Sequence, residues 1–237
     1  MRKALVYIQI VVLVGLAMFL FGFANQRNEV RFIEDPVIRF ENEDTPFITR
    51  EAVNKLLIQK DSTGARLTKE KLDLHEMEIR LREHPIIRSA DVYVSTVGQV
   101  GVQVAQRKPI VRIAGSPSFY LDETGVKMPL SVNYSARVPI ASGVSLENLG
   151  EVHTLVQFIK ADSFLEKHIT GIAFSKAGGY VLRTRNQPFD IILGDVDRLK
   201  TKFNNYAVFY SKAQKDKKLA DYNEIDLRFL NQVVART

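Results

Sequence analysis

The chain has 237 residues, 46% hydrophobic and 25% charged, with a formal net charge of +6 and no cysteine. That length suits one or two domains of about 100–200 residues, and the missing thiols exclude disulfides, thiolate zinc sites, a cysteine nucleophile and a lipidated amino-terminal cysteine. The positive balance permits nucleic acid or anionic lipid as a partner, but acidic residues interleave with the basic ones, so a solvated mixed surface is the plainer reading.

In chain order, the first feature is an uncharged run of 21 residues from Ala4 through Leu13 to Ala24. As a helix rising 1.5 Å per residue it spans about 31 Å, close to a bilayer's hydrocarbon thickness. Tyr7 suits an interface. The alternative is a cleaved signal peptide read at Gly22 and Ala24, but signal cores run only about 7–15 residues. The run therefore predicts a single-pass anchor in the cytoplasmic (inner) membrane, with residues 1–3 as a cytoplasmic tail. Long domains behind a first helix cross largely regardless of charge. Everything from residue 25 onward is expected outside the cytoplasm, in the periplasm.

Residues 25–108 read as the first block. Val30–Phe40 is a strand candidate interrupted by Pro36, as at an edge or bulge. Thr49 caps a helix whose Ala52, Val53, Leu56 and Leu57 share a face. Thr68 caps a second helix reaching about Arg82, with Leu74, Met77 and Leu81 on one side. Leu72 and Ile79 lie nearly opposite, which predicts that helix covered on two sides. Ala90, Val92 and Val94 alternate with Asp91, Tyr93 and Ser95. After a turn at Thr96–Gln99, Val100, Val102 and Val104 repeat the period of two, the pattern of an antiparallel hairpin with one wet face.

Residues 109–237 read as a β-rich second block with inserted helices. Val111–Ala114 and Phe119–Leu121 are short strands, and Asp122-Glu123-Thr124-Gly125 has the Asp and Gly of a type I turn. A helix near Leu149–Ile159 precedes strands at Ile169–Ser175, Tyr180–Arg185 and Phe189–Leu193. Asp195–Ala213 carries Val196, Leu199, Phe203, Tyr206 and Tyr210 on one helical seam, which predicts docking on a sheet. Ile225, Leu227 and Phe229 alternate in a late strand, and Val233–Ala235 ends the chain in another. With no 20–50-residue repeat, the order predicts an α+β fold: a transmembrane helix over 4–24, a β-α-α-β-β domain over 25–108 and a β domain over 109–237.

Chemistry is sparse. His75-Glu76-Met77-Glu78-Ile79 begins like a zinc-protease helix, but Ile79 stands where the second histidine ligand belongs. His84, His153 and His168 are scattered. No nucleophile elbow, dinucleotide fingerprint or phosphate loop occurs. The sequence therefore points away from an enzyme and implies no cofactor or metal. Lys212, Lys215, Lys217 and Lys218 form a basic run that suits anionic lipid or an acidic partner; a solvated helix end is the plainer reading.

Several local motifs, taken in order, carry a resemblance. They are Leu74…Leu81…His84-Pro85-Ile86…Ala90-Asp91-Val92, then Arg107-Lys108-Pro109-Ile110-Val111-Arg112-Ile113. Phe119-Tyr120-Leu121-Asp122-Glu123-Thr124-Gly125-Val126 follows, then Arg137-Val138-Pro139-Ile140 and Ile225-Asp226-Leu227-Arg228-Phe229. In these the chain resembles the FtsQ/DivIB family of bacterial cell-division proteins, and its first block resembles a POTRA domain. The chain departs from the family's pattern in its very short tail, in Phe229 where Tyr is usual, and in Asn231 near a common Gly.

The resemblance implies a non-enzymatic scaffold at the division septum. Its partners would be an FtsB/DivIC-like and FtsL-like pair and, through them, the septal peptidoglycan synthase; no nucleic acid is expected. The implied binding residues are Ile225, Asp226, Leu227, Arg228, Phe229, Asn231, Gln232, Val233 and Val234. There a terminal strand with one guaranteed neighbour would accept a partner's strand. Phe229 and Val233 would give apolar contact, and Arg228 a charge-assisted bond. Alternatively, Ile225, Leu227 and Phe229 are simply sheet core. A rival POTRA-bearing envelope chaperone or assembly factor should show repeated POTRA units or a barrel, and a membrane-anchored hydrolase should show a catalytic constellation.

Overall fold

The structure, a computed structural model, describes residues 12–22, 36–58, 73–96, 98–175 and 178–237. The chain divides into two compact units. One comprises Met1–Glu43 with Ile48–Ala105, the other Asp44–Phe47 with Gln106–Thr237.

The first unit has a three-stranded sheet in the order β1 (Val37–Phe40), β3 (Val100–Gln106), β2 (Ile87–Val94). β1 runs parallel to β3, with Val37 opposite Gly101. Two helices, α1 (Arg50–Ile58) and α2 (Leu74–Glu83), supply the apolar stripes the sheet needs. Val53, Leu57, Met77 and Leu81 are buried, as are Ile87, Ala90, Val92, Val100, Val102 and Val104. The alternation read from sequence thus becomes the inner face of the hairpin, except at Val94, which is exposed; the turn is closed by Ser95 N–H donating to Gln99 O at 2.8 Å. Asp73 caps α2 by accepting from Glu76 N–H; Val30, Thr68 and Leu72 lie outside the described residues. Ile79 is exposed, so α2 is covered on one side only.

The second unit is built on a nine-stranded sheet ordered β12-β11-β10-β9-β8-β7-β4-β5-β6. Its strands are β4 (Pro109–Ile113), β5 (Phe119–Asp122), β6 (Lys127–Pro129), β7 (Ile140–Ser142), β8 (Ile169–Phe174), β9 (Tyr180–Thr184), β10 (Asp190–Gly194), β11 (Glu224–Asp226) and β12 (Val234–Arg236). The helices are α3 (Leu149–Ala161), α4 (Ser163–His168) and α5 (Leu199–Lys215). Parallel neighbours need long crossovers. α3 and α4 supply one between β7 and β8, and α5 supplies another between β10 and β11. One apolar cluster holds strands and helices together, drawing on Val111, Ile172, Leu182 and Ile191 from the sheet and on Leu155, Ile159, Phe203 and Tyr206 from the helices. The Asp122 turn is tied inward: its side chain accepts Thr124 N–H and Val126 N–H and pairs with Arg107 at 2.8 Å. Burial pushes that carboxyl upward, but these bonds outweigh it and hold it below its usual range. Asp44–Phe47 belongs to this unit because Phe47 N–H donates to Gln106 and its ring meets Tyr134 edge-on.

The expected membrane-spanning helix is corrected. Among the described residues no helix is long and apolar enough to cross a membrane. The helical stretch 12–22, which contains Leu13, rises about 16 Å, roughly half a bilayer's hydrocarbon core. Ala4 and Ala24 lie outside the described residues. A run of apolar residues fixes hydropathy but not a continuous helix of spanning length. The single-pass anchor in the fold, and the inner-membrane and periplasmic placement drawn from it, therefore fall.

Candidate functional site

The carboxy-terminal strands form one end of the nine-stranded sheet. α5 brings the chain there because its Leu199, Phe203 and Tyr206 bury against the sheet. Lys202 locks the helix start: its buried ammonium donates to Leu193 O at 3.1 Å and to Asp195 O at 2.9 Å. It also pairs with the Asp195 carboxylate, which holds that carboxyl below its usual range.

β11 lies between β10 and β12, with Ile191 opposite Ile225 on one side and Ala235 opposite Ile225 on the other. Ile225 and Leu227 are almost fully buried, and Leu227 N–H extends the pairing by donating to Ile192 O at 2.8 Å. Regular strand structure stops at Asp226, so the expected strand through Phe229 is shorter than its alternation suggests. The reason is local. Asp226 is wholly buried, and Arg228 folds back on it, with N–H and Nε donating to Oδ1 at 3.0 Å and Nη2 to Oδ2 at 2.6 Å. These bonds hold the Asp226 carboxyl below its ordinary range. The fold-back needs Gly194, which sits at φ +75 and whose added Cβ would come within 2.8 Å of Arg228 Cγ. Asn205 of α5 then fixes the turn by donating to Leu230 O at 2.8 Å.

β12 returns antiparallel. Val233 and Ala235 pack toward the core, while Arg236 reaches across to Glu224 at 2.6 Å. The other edge of β12 has no strand neighbour among the described residues. Phe229 is 49% exposed, Asn231 and Gln232 are exposed in the turn that leads to β12, and Val234 is partly so.

The nine residues expected to bind a partner thus divide by burial. Arg228, Phe229, Asn231 and Gln232 reach solvent, Val233 and Val234 only in part, and Ile225, Asp226 and Leu227 do not. Gly194, Lys202 and Asn205 were not anticipated. A lysine three residues from Leu199 on an apolar seam, and a Gly-Asp pair after a strand, were the available signals; for Asn205 there was none.

Elsewhere, His153 Nε2 lies 3.1 Å from Glu123 O, and His75 is exposed on α2. His168 is buried, its Nε2 2.6 Å from Tyr206 Oη, and burial lowers its pKa. No group of three His, Asp or Glu able to hold a metal occurs among the described residues. Lys212, Lys215, Lys217 and Lys218 are all exposed.

A family model described as FtsQ/DivIB, C-terminal related, matches residues 108–236, more than half of the chain. The family is one of non-enzymatic division scaffolds, which makes this a division-related protein with division-protein partners in general. No curated protein matches the chain.

Proposed function

The chain belongs to the FtsQ/DivIB family, and on that premise we propose that it is a non-enzymatic scaffold that receives a strand along the outer edge of β12. The donor is a division partner of the FtsB/DivIC type, held with an FtsL-type chain, and through this contact the protein helps regulate septal peptidoglycan synthesis. The first unit, with its strand-helix-helix-strand-strand order, is on this reading the POTRA-like domain, and residues 109–237 the partner-binding domain.

The observation that carries the proposal is that β12 ends the sheet with its outer edge unoccupied among the described residues. A three-residue edge gives few bonds, each netting about 0.5–1.5 kcal/mol. Side chains must therefore add to it. Phe229 offers apolar area, and the Arg228 guanidinium, though held by Asp226 through Nε and Nη2, has an Nη1 group with no bond among the described residues that a partner acid could take.

The test is capture of a purified FtsB/DivIC–FtsL-type complex by the full chain and by Val234→Glu and Phe229→Ala. Each variant should lose tenfold or more in affinity, while its melting temperature stays within a few degrees of the parent. Unchanged capture by both would move the site off β12. Deleting residues 232–237 is a poorer test, because Val233 and Ala235 pack toward the core.

A further inference from the structure

The first unit also ends in a strand. β2 is an outer strand of its sheet among the described residues, and at eight residues it is far longer than β12. Its exposed Tyr93 and Val94 add apolar surface. Such an edge is a template for another strand unless something blocks it.

In a strand the N–H and C=O of alternate residues face the same edge. Ala90 and Val92 therefore present their groups together, and one group of each is taken. Val92 N–H donates to Glu78 Oε1 at 3.0 Å, and Ala90 C=O accepts from Arg82 Nη2 at 3.0 Å. Glu78 and Arg82 sit one turn apart on α2 and bridge each other at 3.3 Å. Arg82 also approaches Asp91 at 3.8 Å. The ion pair thus offers β2 an acceptor and a donor in the places where a neighbouring strand would put them.

We propose that Glu78 and Arg82 are an edge guard that closes β2 to strand addition, and that without them this edge takes β2 of a second copy of this chain. The second copy is the natural occupant because the two guarded groups complement each other. In a two-fold pairing centred on Asp91, Val92 of one copy lies opposite Ala90 of the other and donates to the carbonyl Arg82 had held. That register sets Asp91 against its own copy, a like-charge contact that reinforces the guard. The proposal is independent of what β12 binds.

The experiment is sedimentation velocity and amide exchange on the full chain carrying Glu78→Ala, Arg82→Ala and Asp91→Asn. At low concentration Val92 N–H should exchange about fivefold faster or more, the loss of one hydrogen bond. At high concentration a dimer should form and protect it again. Glu78→Gln with Arg82→Lys keeps an acceptor and a donor, and should stay monomeric. Adding Val94→Pro to the triple variant removes an outward N–H and should abolish the dimer. A triple variant that stays monomeric at every concentration, or no longer folds, overturns the proposal. So does a dimer that survives Val94→Pro.

Discussion

β2 and β12 are both outer strands, yet they differ in the opposite sense from what their sequences suggest. β2 has eight residues, and its Ala90 C=O and Val92 N–H on the outer edge are occupied by side chains of α2. β12 has three residues, and its outer edge has no strand neighbour among the described residues. The far end of the same nine-stranded sheet gives a third case: β6 carries Lys127 and Pro129, a charge and a missing donor that discourage pairing. Strand length and β-propensity therefore do not identify a receptive edge. What identifies it is whether helix side chains, charges or prolines already serve the backbone groups there.

The comparison breaks most easily beneath β12. Ile225 is fully buried under the edge, so Ile225→Ala should cost about 2–5 kcal/mol, read by chemical denaturation. Val234→Glu, on the adjoining strand β12 opposite Asp226 and at the rim, should cost far less. Equal losses would mean that β12 is core and not rim.

Acidification should weaken both units, each through one histidine. Burial lowers the pKa of His84 in the first unit and of His168 in the second. An unfolded imidazole titrates near about 6.5, so below that pH the unfolded chain binds a proton that the folded chain resists. Stability from these groups is complete above about pH 6.5, falls as pH drops through the lowered folded-state pKa, and then levels off. His168→Gln keeps a hydrogen-bonding partner for Tyr206 and should flatten the part of this fall that belongs to the second unit. A stability profile between pH 5 and 8 that His168→Gln leaves unchanged would show that the ring is not held neutral.

The smallest effect concerns the floor of the β2 hairpin. The Tyr93 ring lies where a Cβ on Gly101 would fall, with its Cζ and Cε2 nearest. Those atoms are the far end of an exposed side chain and can swing away. Gly101→Ala removes the glycine's entropy cost of about 0.5–1 kcal/mol and displaces that ring, so the net change should stay within about 1 kcal/mol. A larger loss in thermal unfolding would mean that the Tyr93 ring stabilises the hairpin beyond ordinary cross-strand contact.

The sequence by itself determined what depends on neighbours along the chain. The period of two from Ala90 to Val104 fixed the hairpin, the Leu199-Phe203-Tyr206 seam fixed α5 as a docking helix, and Asp122 with Gly125 fixed a turn. The motifs from Arg107 to Phe229 also sufficed to suggest the family. An apolar run over 4–24 suggested a spanning helix that the described structure does not contain, because hydropathy counts residues and not continuous helical length. Tertiary structure alone decided sheet order, which left β12 at the rim, and decided the end of β11, since Arg228 could fold back on Asp226 only where Gly194 of another strand left room. It also decided that Glu78 and Arg82 would meet the edge of β2. Each of these outcomes joins groups distant along the chain or on different elements, and local spacing carries no information about which carbonyl or amide a side chain will find.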